Sequence, residues 1–185
     1  MKPFRPIRCL LVLLLLLLGL AGTAQEYVLV NGTVDSLLVL PKMGHDSVYL
    51  VNESLTVVEG GDLRIEAGAK VYFNQSTGLR VDGGRLRLEG RPNDSVYLLC
   101  YEFSHDWSGV ELKNVTAEDS VRFSYVGVMG ALTALSATNC EQVLVDHCRF
   151  NNCYAGKGIE LVDCHKCRVD SCFFFQCISG IELKA

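Results

Sequence analysis

The chain of 185 residues carries 17 Lys and Arg against 21 Asp and Glu, with 49% hydrophobic residues and nine cysteines. The net charge of −4 and the lack of any basic stripe exclude a nucleic-acid binder that works by charge.

The first 24 residues read as a secretory signal peptide. Lys2, Arg5 and Arg8 form a basic head, and a leucine-rich run extends from Leu10 to Leu20, broken once by Gly19. Ala21-Gly22-Thr23-Ala24 then offers small residues for cleavage before Gln25. The apolar run is shorter than the ~20 residues of a membrane span. No second such run occurs, so no membrane span is expected after cleavage. Without the three cations of the head, the remainder stands at −7, and its length fits one domain.

Residues 25–50 are less regular and are expected to form an N-terminal capping segment. From residue 51 the chain becomes a series of short strands. They include Leu55-Thr56-Val57-Val58, Leu63-Arg64-Ile65-Glu66, Lys70-Val71-Tyr72-Phe73, Leu79-Arg80-Val81-Asp82, Leu86-Arg87-Leu88-Glu89 and Val96-Tyr97-Leu98-Leu99. Apolar residues alternate with polar ones in most of them, which is the period of a strand and not of a helix. Gly60-Gly61, Gly68, Gly78, Gly83-Gly84 and Gly90 punctuate the series.

The second half repeats itself. Cys140, Val143, Val145, Cys148, Phe150 and Cys153 fall on Cys164, Cys167, Val169, Cys172, Phe174 and Cys177 at an offset of 24. Gly158-Ile159-Glu160-Leu161 returns as Gly180-Ile181-Glu182-Leu183 at an offset of 22. Val121, Phe123, Val126 and Val128 precede Val143, Val145, Cys148 and Phe150 at the same 22. A propeller blade needs about 40 residues, whereas a solenoid rung needs about half that. The spacing therefore selects an all-β solenoid of about six rungs over residues 51–185, in which equivalent residues stack and like sits on like. Ile181 to Ala185 opens a further rung, so the solenoid is expected to continue beyond this sequence.

The run from Leu63 to Phe73, with Gly78-Leu79-Arg80-Val81, Gly83-Gly84-Arg85-Leu86 and Trp107-Ser108-Gly109-Val110, resembles bacterial right-handed parallel β-helix proteins of the pectate-lyase-like superfold. The segment from Cys164 to Phe174 resembles the repeats of the same group. The resemblance implies a right-handed parallel β-helix. It is poor for activity, because this superfold carries lyases, hydrolases, adhesins and proteins without catalysis.

Three sets of residues invite functional readings. The eight cysteines after the signal peptide stand open to three: packed free thiols, inter-rung disulfides, or metal ligands. Cys164 and Cys167, spaced as a C-x-x-C pair, are the best candidates for zinc or copper. Yet Cys167 repeats Val143, which marks it as an inward residue. In the resembled repeats the position of Cys148 and Cys172 often holds a stacked asparagine. Asp146-His147 is similar to the Asp-His segment of pectate lyases, where the aspartate helps to bind calcium. Asp146 and Asp170 recur at the repeat, so they also form a candidate stacked acidic pair for Ca²⁺. The blander reading is that the aspartate belongs to the repeat and His147 is a variable position. No arginine matches the base of such lyases, and no paired-aspartate hydrolase motif occurs. Tyr101, Phe103, His105, Asp106 and Trp107 form an aperiodic stretch, in which Trp107 either stacks on a sugar or packs over the edge of the solenoid.

Sequons occur at Asn31, Asn52, Asn74, Asn93 and Asn114, and Asp-Ser-aliphatic strings at Asp35, Asp46, Asp94 and Asp119. Both sets read either as glycosylation signals or as turn chemistry. The expectation is an exported, monomeric β-helix scaffold in the periplasm, at the cell surface or secreted. It meets polysaccharide or surface glycans and is non-catalytic in this segment. A polysaccharide lyase or glycoside hydrolase with its active face in later rungs is the alternative, and a copper- or zinc-handling β-helix is the third.

Overall fold

A computed structural model describes residues 25–185 apart from 46, 103–105 and 120. The signal peptide, Asp46, Phe103 and His105 thus lie outside the described residues. All the elements described are strands, and they form a parallel β-solenoid of about 6 turns. No helix among the described residues is long and apolar enough to cross a membrane.

Each turn contributes three strands. The first holds β1 (Glu26–Leu29), β2 (Gly32–Val34) and β3 (Leu37–Leu40). The second holds β4 (Ser47–Val51), β5 (Leu55–Val58) and β6 (Asp62–Glu66). Then come β7 (Lys70–Phe73), β8 (Gly78–Asp82) and β9 (Arg85–Glu89), succeeded by β10 (Val96–Cys100), β11 (Gly109–Lys113) and β12 (Val121–Ser124). The fifth turn is β13 (Val126–Met129), β14 (Leu135–Thr138) and β15 (Val143–Asp146). Beyond it, β16 (Arg149–Val162) and β18 (Phe173–Lys184) each run round a corner, with β17 (Arg168–Asp170) between them.

The solenoid therefore has three faces. The first stacks β1, β4, β7, β10, β13 and the leading parts of β16 and β18. The second stacks β2, β5, β8, β11, β14 and the trailing parts of the same two strands, which joins both faces into one 12-stranded sheet. The third is a 6-stranded sheet of β3, β6, β9, β12, β15 and β17. Residues 25–50 supply a first turn paired in register with the second, as in Leu38 on Leu63 and Leu40 on Ile65.

The core results from the alternation. On the second face Leu55, Leu79, Val110, Leu135 and Ile159 stack inward, and on the third Leu63, Leu86, Val121 and Val143 do so. All nine are buried. Neighbouring rungs lie ~4.8 Å apart, so each such residue packs on its own kind above and below. The repeat register expected from the sequence is the observed one: Val145 pairs with Val169, Phe150 with Phe174 and Ile159 with Ile181. The change of offset from 24 to 22 has a definite place. The register shifts between Cys153 and Lys157, so the two extra residues sit in the corner of β16 and not in a loop.

Candidate functional site: a groove on the first face

The outward ladders distinguish the three faces. On the second, Arg80, Glu111, Ser136, Glu160 and Glu182 stack in line. On the third, Arg64, Arg87 and Arg122 stack beside Glu66, Glu89, Ser124, Asp146 and Asp170. These are solvated faces in which charges pair. Asp62, for example, accepts hydrogen bonds from Arg64 and Arg87.

The first face differs. One outward ladder runs Leu29, Leu50, Tyr72, Leu99, Met129, Asn151, Phe175. Beside it runs Lys70, Tyr97, Gly127, Arg149, Phe173. Apolar and aromatic side chains dominate a surface that would ordinarily be polar, and Tyr97 and Phe173 are 42% and 57% exposed. Lys70 and Arg149 make no ion pair with a described residue.

A groove of about 650 Å³ opens on this face, within the range of small-ligand sites. Gly127 forms its floor. A Cβ there would stand 2.9 Å from the Tyr97 ring, so glycine is what lets the tyrosine lie across the next rung. Tyr125 and His147, stacked at 4.6 Å, line the groove together with Arg149 and Phe173. Asn151 also lines the groove, and its Oδ1 is buried without a hydrogen-bond partner. A buried carbonyl oxygen in that state costs about 1–3 kcal/mol.

The residues singled out from sequence fall in three places. His147 sits at the corner between β15 and β16 and lines the groove. Asp146 and Asp170 are stacked register partners, as the repeat implied, but on the third face. Asp146 accepts from Ser124 at 2.8 Å and faces Arg122 at 3.8 Å. Asp170 faces Arg168 at 2.6 Å, and that hydrogen bond holds its carboxyl below the usual carboxylate range. A general acid needs the opposite shift. Trp107 is fully buried, stacked on Phe73 at 4.1 Å and 11°, with its indole N–H donating to the Met129 carbonyl at 3.0 Å. No ring face is left for a sugar.

The cysteines are corner residues. Seven of the eight, from Cys140 to Cys177, each come directly after a residue with φ between 49° and 58°: Asn139, His147, Asn152, Asp163, Lys166, Ser171 and Gln176. Each of these seven thiols donates to the carbonyl two residues back, at 3.2 to 3.8 Å. A left-handed residue turns the chain, and cysteine then fills the inside of the bend while binding the carbonyl before it. Cys164 and Cys167 belong to this pattern. Their thiols are directed to the carbonyls of Val162, Ala137 and His165. Among the described residues, no group of three or more His, Cys, Asp and Glu stands close enough to hold a metal ion.

Asparagine serves the other corners. Asn31 Oδ1 accepts from the backbone N–H groups of Asn52 and Glu53, and Asn74 Nδ2 donates to Asn52 Oδ1. Asn114 Nδ2 donates to Asp82, and Asn139 Nδ2 to Asn114 Oδ1. Four of the five sequon asparagines are thus held in ladders that join turn to turn.

Sequence reading missed Tyr97, Tyr125, Arg149 and Asn151. A signal for the first was present: Val96-Tyr97-Leu98-Leu99 lacks the polar alternation of its neighbours. Compared with protein-family models, curated proteins and solved structures, the chain finds no match in any of the three.

Proposed function

We propose that this chain is an exported β-helix scaffold that binds a saccharide chain along its first face. One observation carries the reading: an aromatic groove on one face of a solenoid whose other two faces are laced with paired charges. Tyr97, Phe173 and the Tyr125–His147 stack supply ring faces for the apolar side of a sugar. Lys70 and Arg149, three rungs apart on one ladder, favour an anionic saccharide. The basic head and leucine run at the N-terminus support export, and the resemblance to pectate-lyase-like repeats supports a glycan as the partner.

Calorimetric titration with neutral and acidic oligosaccharides tests this. Loss of one stacking ring is worth about 0.5–1.5 kcal/mol, so Tyr97→Ala weakens binding by up to about tenfold. Arg149→Gln, which leaves Lys70 in place, weakens the preference for acidic chains. Binding that survives both changes intact, or no binding to any member of the panel, overturns the proposal. Release of unsaturated products would make the site a lyase and not a binding groove.

A further inference from the structure

The groove on the first face adjoins a smaller hollow of about 390 Å³. Lys70, Tyr72, Tyr97, Leu99, Cys100 and Met129 line it. Tyr97, Leu99 and Met129 also line the larger groove, so the two spaces meet along these three residues. Their linings differ in chemistry. Ser95, His147, Arg149 and Ser171 bring polar groups to the larger groove. The smaller hollow has one charged residue, Lys70, and five that are apolar or aromatic. Tyr72, Leu99 and Met129 stand half-buried on three successive turns of one outward ladder, with Lys70 and Tyr97 on the ladder beside it. Tyr101 meets the Tyr72 ring edge-on at 6.4 Å. Cys100 Sγ donates to the Glu102 carbonyl at 2.7 Å, so this thiol already has its acceptor.

We propose, resting on the saccharide reading above, that the ligand of this face is an anionic saccharide carrying an aliphatic chain. The sugar lies in the larger groove and the chain in the smaller hollow. A second sugar ring would suit the hollow poorly, because each hydroxyl taken out of water needs a partner and this lining offers few. An aliphatic chain needs none, and it covers apolar surface that Tyr72, Leu99 and Met129 otherwise leave to water. Two rung steps of ~4.8 Å separate Tyr72 from Met129, so the apolar track is ~10 Å long. Lys70 does not oppose a chain there. A lysine stem packs along apolar surface while its ammonium stays in water. That ammonium makes no ion pair with a described residue, so its charge complements the anionic part of the same ligand.

The test is calorimetric titration of the full chain with methyl, butyl, hexyl and octyl glucuronide, each below its micelle-forming concentration. Burial of one methylene tightens binding by up to about fourfold, so the dissociation constant is expected to fall along the series until the hollow is full. Tyr72→Ser, with its β circular dichroism retained, is expected to flatten that dependence. Arg149→Gln is expected to weaken every member by a common factor and to keep the dependence on chain length. Octyl glucuronide that binds no tighter than methyl glucuronide overturns the proposal. So does a chain-length dependence that Tyr72→Ser leaves intact. If oligosaccharides bind while the glucuronides gain nothing with length, the saccharide reading stands and the aliphatic chain alone is overturned. If neither oligosaccharides nor glucuronides bind, both are overturned.

Discussion

Trp107 separates a structural role from a binding role, because the two predict opposite outcomes for one substitution. The ring is fully buried, stacks on Phe73 at 4.1 Å and donates to the Met129 carbonyl at 3.0 Å. A buried tryptophan removes up to ~250 Å² from water. At ~25 cal/mol per Å², that sets an upper bound of ~6 kcal/mol. Large-to-small changes of this kind cost about 3–5 kcal/mol. Trp107→Ala is therefore expected to cost about 4 kcal/mol, or about 10 °C in Tm for a domain of this size. Trp107→Phe keeps the stack, loses the indole donor and costs about 1–2 kcal/mol. The chain has one tryptophan, so urea unfolding must be tracked by far-ultraviolet circular dichroism and not by its fluorescence. Saccharide affinity of the folded Trp107→Phe variant should equal that of the parent. A Trp107→Ala chain within about 1 kcal/mol of the parent that has lost saccharide binding would refute the reasoning.

Two more outcomes rest on the same geometry. Asn31→Ala removes the acceptor of two backbone N–H groups at 2.9 and 3.1 Å, and is expected to cost about 1–2 kcal/mol in urea unfolding; a neutral result would mean that water replaces the ladder. At Asp62 burial pulls the carboxyl up, but hydrogen bonds from Arg64 and Arg87 outweigh it and hold the folded value below the usual one. The stability this gives is present above about pH 4, the unfolded range, and is lost as pH falls through the folded value. The urea midpoint at pH 3 relative to pH 7 should accordingly fall more for the parent than for Asp62→Asn, and equal falls would remove Asp62 from the account of acid lability.

The register of the turns was legible because the signal is local and repeated. Inward positions alternate within a strand, and a stacked lattice requires that Val145, Phe150 and Ile159 meet Val169, Phe174 and Ile181. The first turn was harder to read. Strands β1 and β3 are largely exposed, so their apolar residues do not mark an inward face. The groove was hidden for a different reason. It is made by outward residues of four separate turns, and only the register puts Tyr97, Gly127, Arg149 and Phe173 on one line. The corners were hidden because the left-handed residues have no common chemistry. Asparagine and aspartate are enriched there, but His147, Lys166 and Gln176 adopt the same φ.

The two kinds of corner divide the solenoid by chemistry. Asparagine corners bind turn to turn on the outside, through amides that water can reach and that no oxidant alters. Cysteine corners bind their own carbonyls on the inside, where the thiol fills space and donates at once. The cysteine corners are confined to the turns from β14 onward, and those turns also carry Arg149, Asn151 and Phe173. Arg149 comes directly after Cys148, and Phe173 directly after Cys172.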